Sequence, residues 1–125
     1  MSYQITAHPM SGYLHVIITG ENTAENVTNY ITKVGAMCDE QKISTVLIEE
    51  NLQGSGLNMF DIFKIIKGLQ HTPKILHWIA FVDTNPAHDS TMMDFARELA
   101  VRRGLRVHIC HTVEDAKEWA QVWAK

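Results

Sequence analysis

Three short stretches of the chain hold residues of the kinds that do chemistry. Asp83, Thr84, His88, Asp89 and Ser90 stand close together, and a carboxylate, an imidazole and a hydroxyl are the parts of an acid–base set. The same residue types also end and begin elements: Asp89 or Ser90 serves as a helix N-cap and Asn85-Pro86 as a turn. Gly54-Ser55-Gly56 is the second stretch, where free amides and the positive end of a following helix would cradle an anion. It has neither the Lys-Ser/Thr of a P-loop nor the three-glycine spacing of a dinucleotide fingerprint, and turn geometry alone accounts for two glycines. The third, His108-Ile109-Cys110-His111, sets three possible metal ligands side by side. Strand alternation sends His108 and Cys110 to one side and His111 towards the loop, so no metal site is expected. The two cysteines, Cys38 and Cys110, have no secretory context and are expected as free packing thiols. None of this amounts to a catalytic motif. No catalytic residue, cofactor or enzyme activity is expected, and an activity, if present, would use Asp83 and His88.

The elements that must position these stretches follow from hydrophobic period. Tyr3–His8 and Tyr13–Thr19 are β-rich runs separated by Pro9-Met10-Ser11-Gly12, a hairpin signature. Ala24, Val27, Ile31, Val34 and Cys38 recur at helical spacing to about Gln41, with Asn22 and Glu25 at capping-box separation. Thr45–Glu49 predicts a third strand, about Leu57 to Gln70 a second helix, and the nearly continuous apolar run Ile75–Val82 a mid-sheet strand covered on both faces. Trp78, Ile79, Phe81 and Val82 are expected in the core. A third helix carrying Met92, Met93, Phe95, Ala96, Leu99 and Ala100 ends at Gly104, a left-handed cap. Leu105–Cys110 is the fifth strand, and Thr112 with Asp115 opens a last helix with the face Ala116, Trp119, Ala120 and Trp123. The order β-β-α-β-α-β-α-β-α gives an α/β fold. It has a five-stranded, mostly parallel sheet: an opening hairpin, then four βα units. Semi-polar stripes such as Arg106, His108 and Cys110 predict a sheet face left partly open.

The second helix is apolar round most of its circumference, with Leu57, Met59, Phe60, Ile62, Phe63, Ile65, Ile66 and Leu69, wider than one helix on one sheet requires. Either it lies beneath a neighbouring helix, or the excess faces an apolar ligand or a second subunit, with Met92 and Met93 extending the surface. A homodimer including Phe60, Phe63 or the two methionines is the expected cover.

The remaining bounds are compositional. At 125 residues the chain is read as one domain spanning 1–125. A net charge of −3 leaves no surplus to neutralise phosphates, which excludes nucleic acid as an expected partner. No apolar run reaches the length of a bilayer span, and the amino terminus lacks a secretory pattern, so the expected location is the cytoplasm.

The hairpin and four βα units close with Val113-Glu114-Asp115-Ala116-Lys117-Glu118-Trp119. With Gly20-Glu21-Asn22-Thr23-Ala24-Glu25 at the first helix and the strand Ile79-Ala80-Phe81-Val82-Asp83, this succession resembles the SpoIIAA-like family. These are small proteins related to STAS domains and more remotely to CRAL-TRIO lipid carriers. The resemblance implies a binding or regulatory module, holding a small apolar or amphiphilic ligand or a protein partner, with no catalytic residues. Related anti-sigma antagonists carry Asp-Ser-Ser-Gly-Leu at the second helix, the first Ser being phosphorylated. Here the segment reads Gln53-Gly54-Ser55-Gly56-Leu57, so Gly54 occupies the acceptor position and no phosphoswitch is expected. The candidate ligand-binding set is Gly54, Ser55, Gly56, Phe60, Phe63, Asp83, Thr84 and His88.

Overall fold

The computed structural model describes residues 3–54, 57–69, 78–86, 88, 90–102, 104 and 106–123. Its elements are β1 (Tyr3–Pro9), β2 (Leu14–Glu21), α1 (Ala24–Gln41), β3 (Thr45–Gln53), α2 (Met59–Leu69), β4 (Trp78–Asp83), α3 (Ser90–Arg102), β5 (Val107–Ile109) and α4 (Val113–Trp123). The strands lie side by side in chain order, β1 antiparallel to β2 and the other neighbours parallel. This is the α/β architecture the alternating periods predict.

Because each parallel strand is added on the same side of the last, right-handed crossovers place α1, α2 and α3 on one face. There Leu14, Val16 and Ile18 of β2, Val46, Ile48 and Leu52 of β3 and Ile79 of β4 pack with Val27, Tyr30, Val34 and Cys38 of α1 and Ile62, Ile65 and Ile66 of α2. The alternate strand residues point the other way: Leu47, Ala80 and Val82 meet Ala116 and Ala120 of α4, together with Tyr13 and Cys110. On that second face β1 stays open, since Gln4, Thr6 and His8 are exposed, whereas β2 is exposed at Thr19 and buried at His15.

β4 lies inside the sheet between β3 and β5 with both faces packed, as expected, although the central strand is β3. Several local expectations are corrected. Ile79 and Val82 are buried, whereas Trp78 and Phe81 are half-buried. Trp78 sits at the rim because it faces α4, where Trp119 meets its ring edge-on at 6.1 Å and the Arg106 guanidinium lies 4.6 Å from its centre. The N-cap of α1 is Thr23, whose hydroxyl accepts from the Asn26 amide at 3.1 Å; Asn22 lies one residue outside the helix. Tyr30, fully buried, takes the inward helical position, and Ile31 is half-buried. Met92 packs against the core instead of extending an outer surface.

Other local expectations hold. Gly104 closes α3 with φ at 88°, its amide donating to the Val101 carbonyl, and Thr112 caps α4 by accepting from the Asp115 amide. The end of the second helix at Gln70 and residues Ile75 to His77 of the expected strand lie outside the described residues. No described helix is long and apolar enough to cross a membrane.

Candidate functional site at the carboxyl edge of the sheet

The alternation that sends Val46, Ile48 and Leu52 into the three-helix core also sends Glu50 there, in a strand that runs on past Glu49 to Gln53. A carboxylate thus takes a core position and is only 5% exposed. Its register partner on β4 is Asp83, so two carboxyl groups share one face on adjacent strands. From α1 the Tyr30 hydroxyl donates to Oε2 of Glu50.

His88, in the loop before α3, completes the group. Its Nδ1 lies 2.6 Å from Oδ2 of Asp83, while Oδ1 of Asp83 accepts from the Asn85 amide at 3.0 Å in an Asx turn. The other ring nitrogen, Nε2, lies 3.3 Å from the Gly54 carbonyl, 3.3 Å from the Asn85 side-chain amide and 3.5 Å from that of Asn22. The same loops are tied to each other directly. Asn85 donates from Nδ2 to the Leu52 carbonyl at 2.8 Å, Thr84 donates from its amide and its hydroxyl to the Glu50 carbonyl, and the Asn22 amide donates to the Gln53 carbonyl. The carboxyl ends of β2, β3 and β4 are therefore laced into one polar cluster, where open α/β sheets place their ligand sites.

Burial sets the electrostatics. Loss of water pushes the Glu50 carboxyl up to about 7; the Tyr30 hydrogen bond and His88 pull it down and Asp83 adds to the rise. Burial, then the neighbouring Glu50, hold the Tyr30 hydroxyl well above its ordinary value, so it remains a donor at neutral pH. The cluster can store a proton on Glu50 near neutrality and hold the loops through His88. The His88 side chain is only 6% exposed and its Nε2 faces protein groups, so the Asp83–His88 pair has the bond of an acid–base dyad without an open side.

Of the residues singled out in the sequence, the structure brings Gly54, Asp83 and His88 together and uses Thr84 in the backbone clasp. Gly54 has φ at 107°, a conformation that suits glycine and that presents its carbonyl to the imidazole. Ser55, Gly56 and Asp89 lie outside the described residues. Phe60 and Phe63 stand on the outer side of α2, 66% and 41% exposed, beside Met59 at 53%. The Lys64 nitrogen lies 4.9 Å from the Phe60 ring centre, and Lys64 also reaches a shallow groove of about 550 Å³ lined on α1 by Thr28, Thr32 and Lys33.

His108 stacks flat on Trp119 at 5.0 Å, Cys110 is buried and His111 is exposed, and these three do not converge as a ligand set. Sequence reasoning missed Glu50, Tyr30, Asn22 and Asn85. The available signal was the strand alternation carried one step further, which puts Glu50 in line with Val46 and Ile48. No family model matches the chain, and no curated protein matches it in sequence.

Proposed function

We propose that the chain is a binding or regulatory domain of the STAS-related, SpoIIAA-like kind, acting in the cytoplasm through the carboxyl-edge loops and the outer side of α2. The observation that carries this reading is the row Met59, Phe60 and Phe63, exposed on the first turns of α2 although Ile62, Ile65 and Ile66 already fill the core beneath. Large apolar side chains grouped on one helix are uncommon on a monomer without a use. A second copy of the chain about a two-fold axis is the proposed cover. Gly54 and the residues Asp83, Thr84 and His88 lie together at the same edge, which is the proposed ligand or partner side. Native mass spectrometry of the purified protein tests this, because subunit number and any retained ligand are read together. A dimer, or a monomer with a retained apolar or amphiphilic molecule, supports the reading; a bare monomer rejects it.

The 2.6 Å bond between Asp83 and His88 favours a second reading, a small enzyme that uses this pair. The enclosure of Nε2 by Gly54, Asn22 and Asn85 ranks it below the first. Rearrangement of those loops would have to uncover the ring before it met a substrate.

A further inference from the structure

We propose that Glu50, Asp83 and His88 bind one divalent transition-metal ion, of the class to which Zn²⁺ and Mn²⁺ belong. An oxygen of each carboxylate and a ring nitrogen of His88 all lie within 4.8 Å of one another. Donors bound to one ion at about 2.0–2.2 Å lie roughly 3–3.5 Å apart, so His88 Nδ1 and Asp83 Oδ2, 2.6 Å apart, would separate as the ion displaces the proton between them, and side-chain rotation would bring Glu50 into the set.

Three further observations point to an ion. First, each donor residue has its second polar atom fixed from outside the triad. Oε2 of Glu50 accepts from Tyr30, Oδ1 of Asp83 accepts from the Asn85 amide, and Nε2 of His88 lies 3.3 Å from the Gly54 carbonyl. A metal-bound imidazole characteristically donates its other N–H to a carbonyl or carboxylate, and ligating carboxylates are themselves hydrogen-bonded. Second, Tyr30 is the only described group donating to the Glu50 carboxylate, which leaves its other oxygen for the triad. Third, among the described residues the ion pairs are His15–Glu49, His88–Asp83 and Arg102–Glu98, so no lysine or arginine competes with an ion for the two carboxyl groups.

The donor chemistry selects the ion. Two oxygens and an imidazole nitrogen, without a thiolate, suit Zn²⁺, Mn²⁺ or Fe²⁺ over Cu(I), and the imidazole disfavours Mg²⁺. Three protein ligands leave a position open at the ligand-binding edge of the sheet. The ion would join β3, β4 and the loop before α3.

Calorimetric titration of the chelator-treated 125-residue chain with Zn²⁺, Mn²⁺ and Mg²⁺ tests the site. One equivalent of Zn²⁺ or Mn²⁺ is expected, with no heat from Mg²⁺. Glu50→Gln and Asp83→Asn should each weaken binding at least about tenfold, and Tyr30→Phe, which touches no ion, about 10–100-fold. A His8→Ala/His111→Ala variant should bind like the unmodified chain. No binding, or binding unchanged in Glu50→Gln and Asp83→Asn, an adventitious ion on surface histidines only, overturns the proposal. If either carboxylate variant fails to fold by circular dichroism, the visible spectrum of the Co²⁺-loaded unmodified chain decides. Bands of low coordination number without thiolate charge transfer support the site, and the spectrum of aqueous Co²⁺ rejects it.

Discussion

Glu50 is a carboxylic acid placed where the strand pattern calls for an apolar side chain, and its proton is held more tightly in the folded chain than in the unfolded one. Burial moves the group from 4.5 to about 7. A raised folded value means that its stabilising effect is fully present below the unfolded value and is lost as pH rises through about 7. The difference corresponds to on the order of 3 kcal/mol. In urea unfolding of the metal-free chain, the unmodified protein should lose about that much more stability than Glu50→Gln between about pH 5 and pH 8. Equal losses in the two proteins would contradict the assignment.

Tyr30→Phe removes the donor to this group and should cost about 1–3 kcal/mol, read from the same unfolding curves. At Cys38, burial pushes the thiol up to about 11, and Cys110 is raised by burial and by Asp115. The thiolate is the reactive form, so alkylation of the native protein should be slow at neutral pH and become rapid on denaturation. The site was half legible at this scale. Asp83, His88 and Gly54 stood out by type, whereas Asn22 resembled a helix cap and Glu50 the end of a strand. Only the fold reveals what those two meet, His88 of the loop before α3 at Asn22 and Tyr30 of α1 at Glu50.

At the scale of elements, β3 is the centre of the fold. Leu47 is fully buried, on the face that packs against α4, so Leu47→Ala should cost about 2–5 kcal/mol in denaturant titration. Trp78→Ala should cost less, because the indole is half-buried beneath Arg106 and beside Trp119. A larger loss for Trp78→Ala would show that the rim of α4 and β4 is the true core. Element order was legible throughout, since strand and helix periods differ and the turns carry Gly or Pro. Depth was less so. An apolar run such as Ile79-Ala80-Phe81-Val82 states that both faces of a strand are covered, but not that the layer over one face ends at an indole. The wide apolar surface of α2 was legible as a surplus. Its division into an inner row of isoleucines and an outer row of Met59, Phe60 and Phe63 depends on how α1 and α3 flank the helix.

For the whole molecule, three helices cover one face of the sheet while α4 covers part of the other, and the outer row of α2 remains in contact with solvent. The proposed function requires that row to be covered in use. Sedimentation velocity at micromolar concentration, on the unmodified chain and on Phe60→Glu, tests this most directly. The substitution sets like charges opposite one another across a two-fold axis without touching the core beneath. The account predicts a dimer for the unmodified chain and a folded monomer for Phe60→Glu. A ligand-free monomer in both would contradict it.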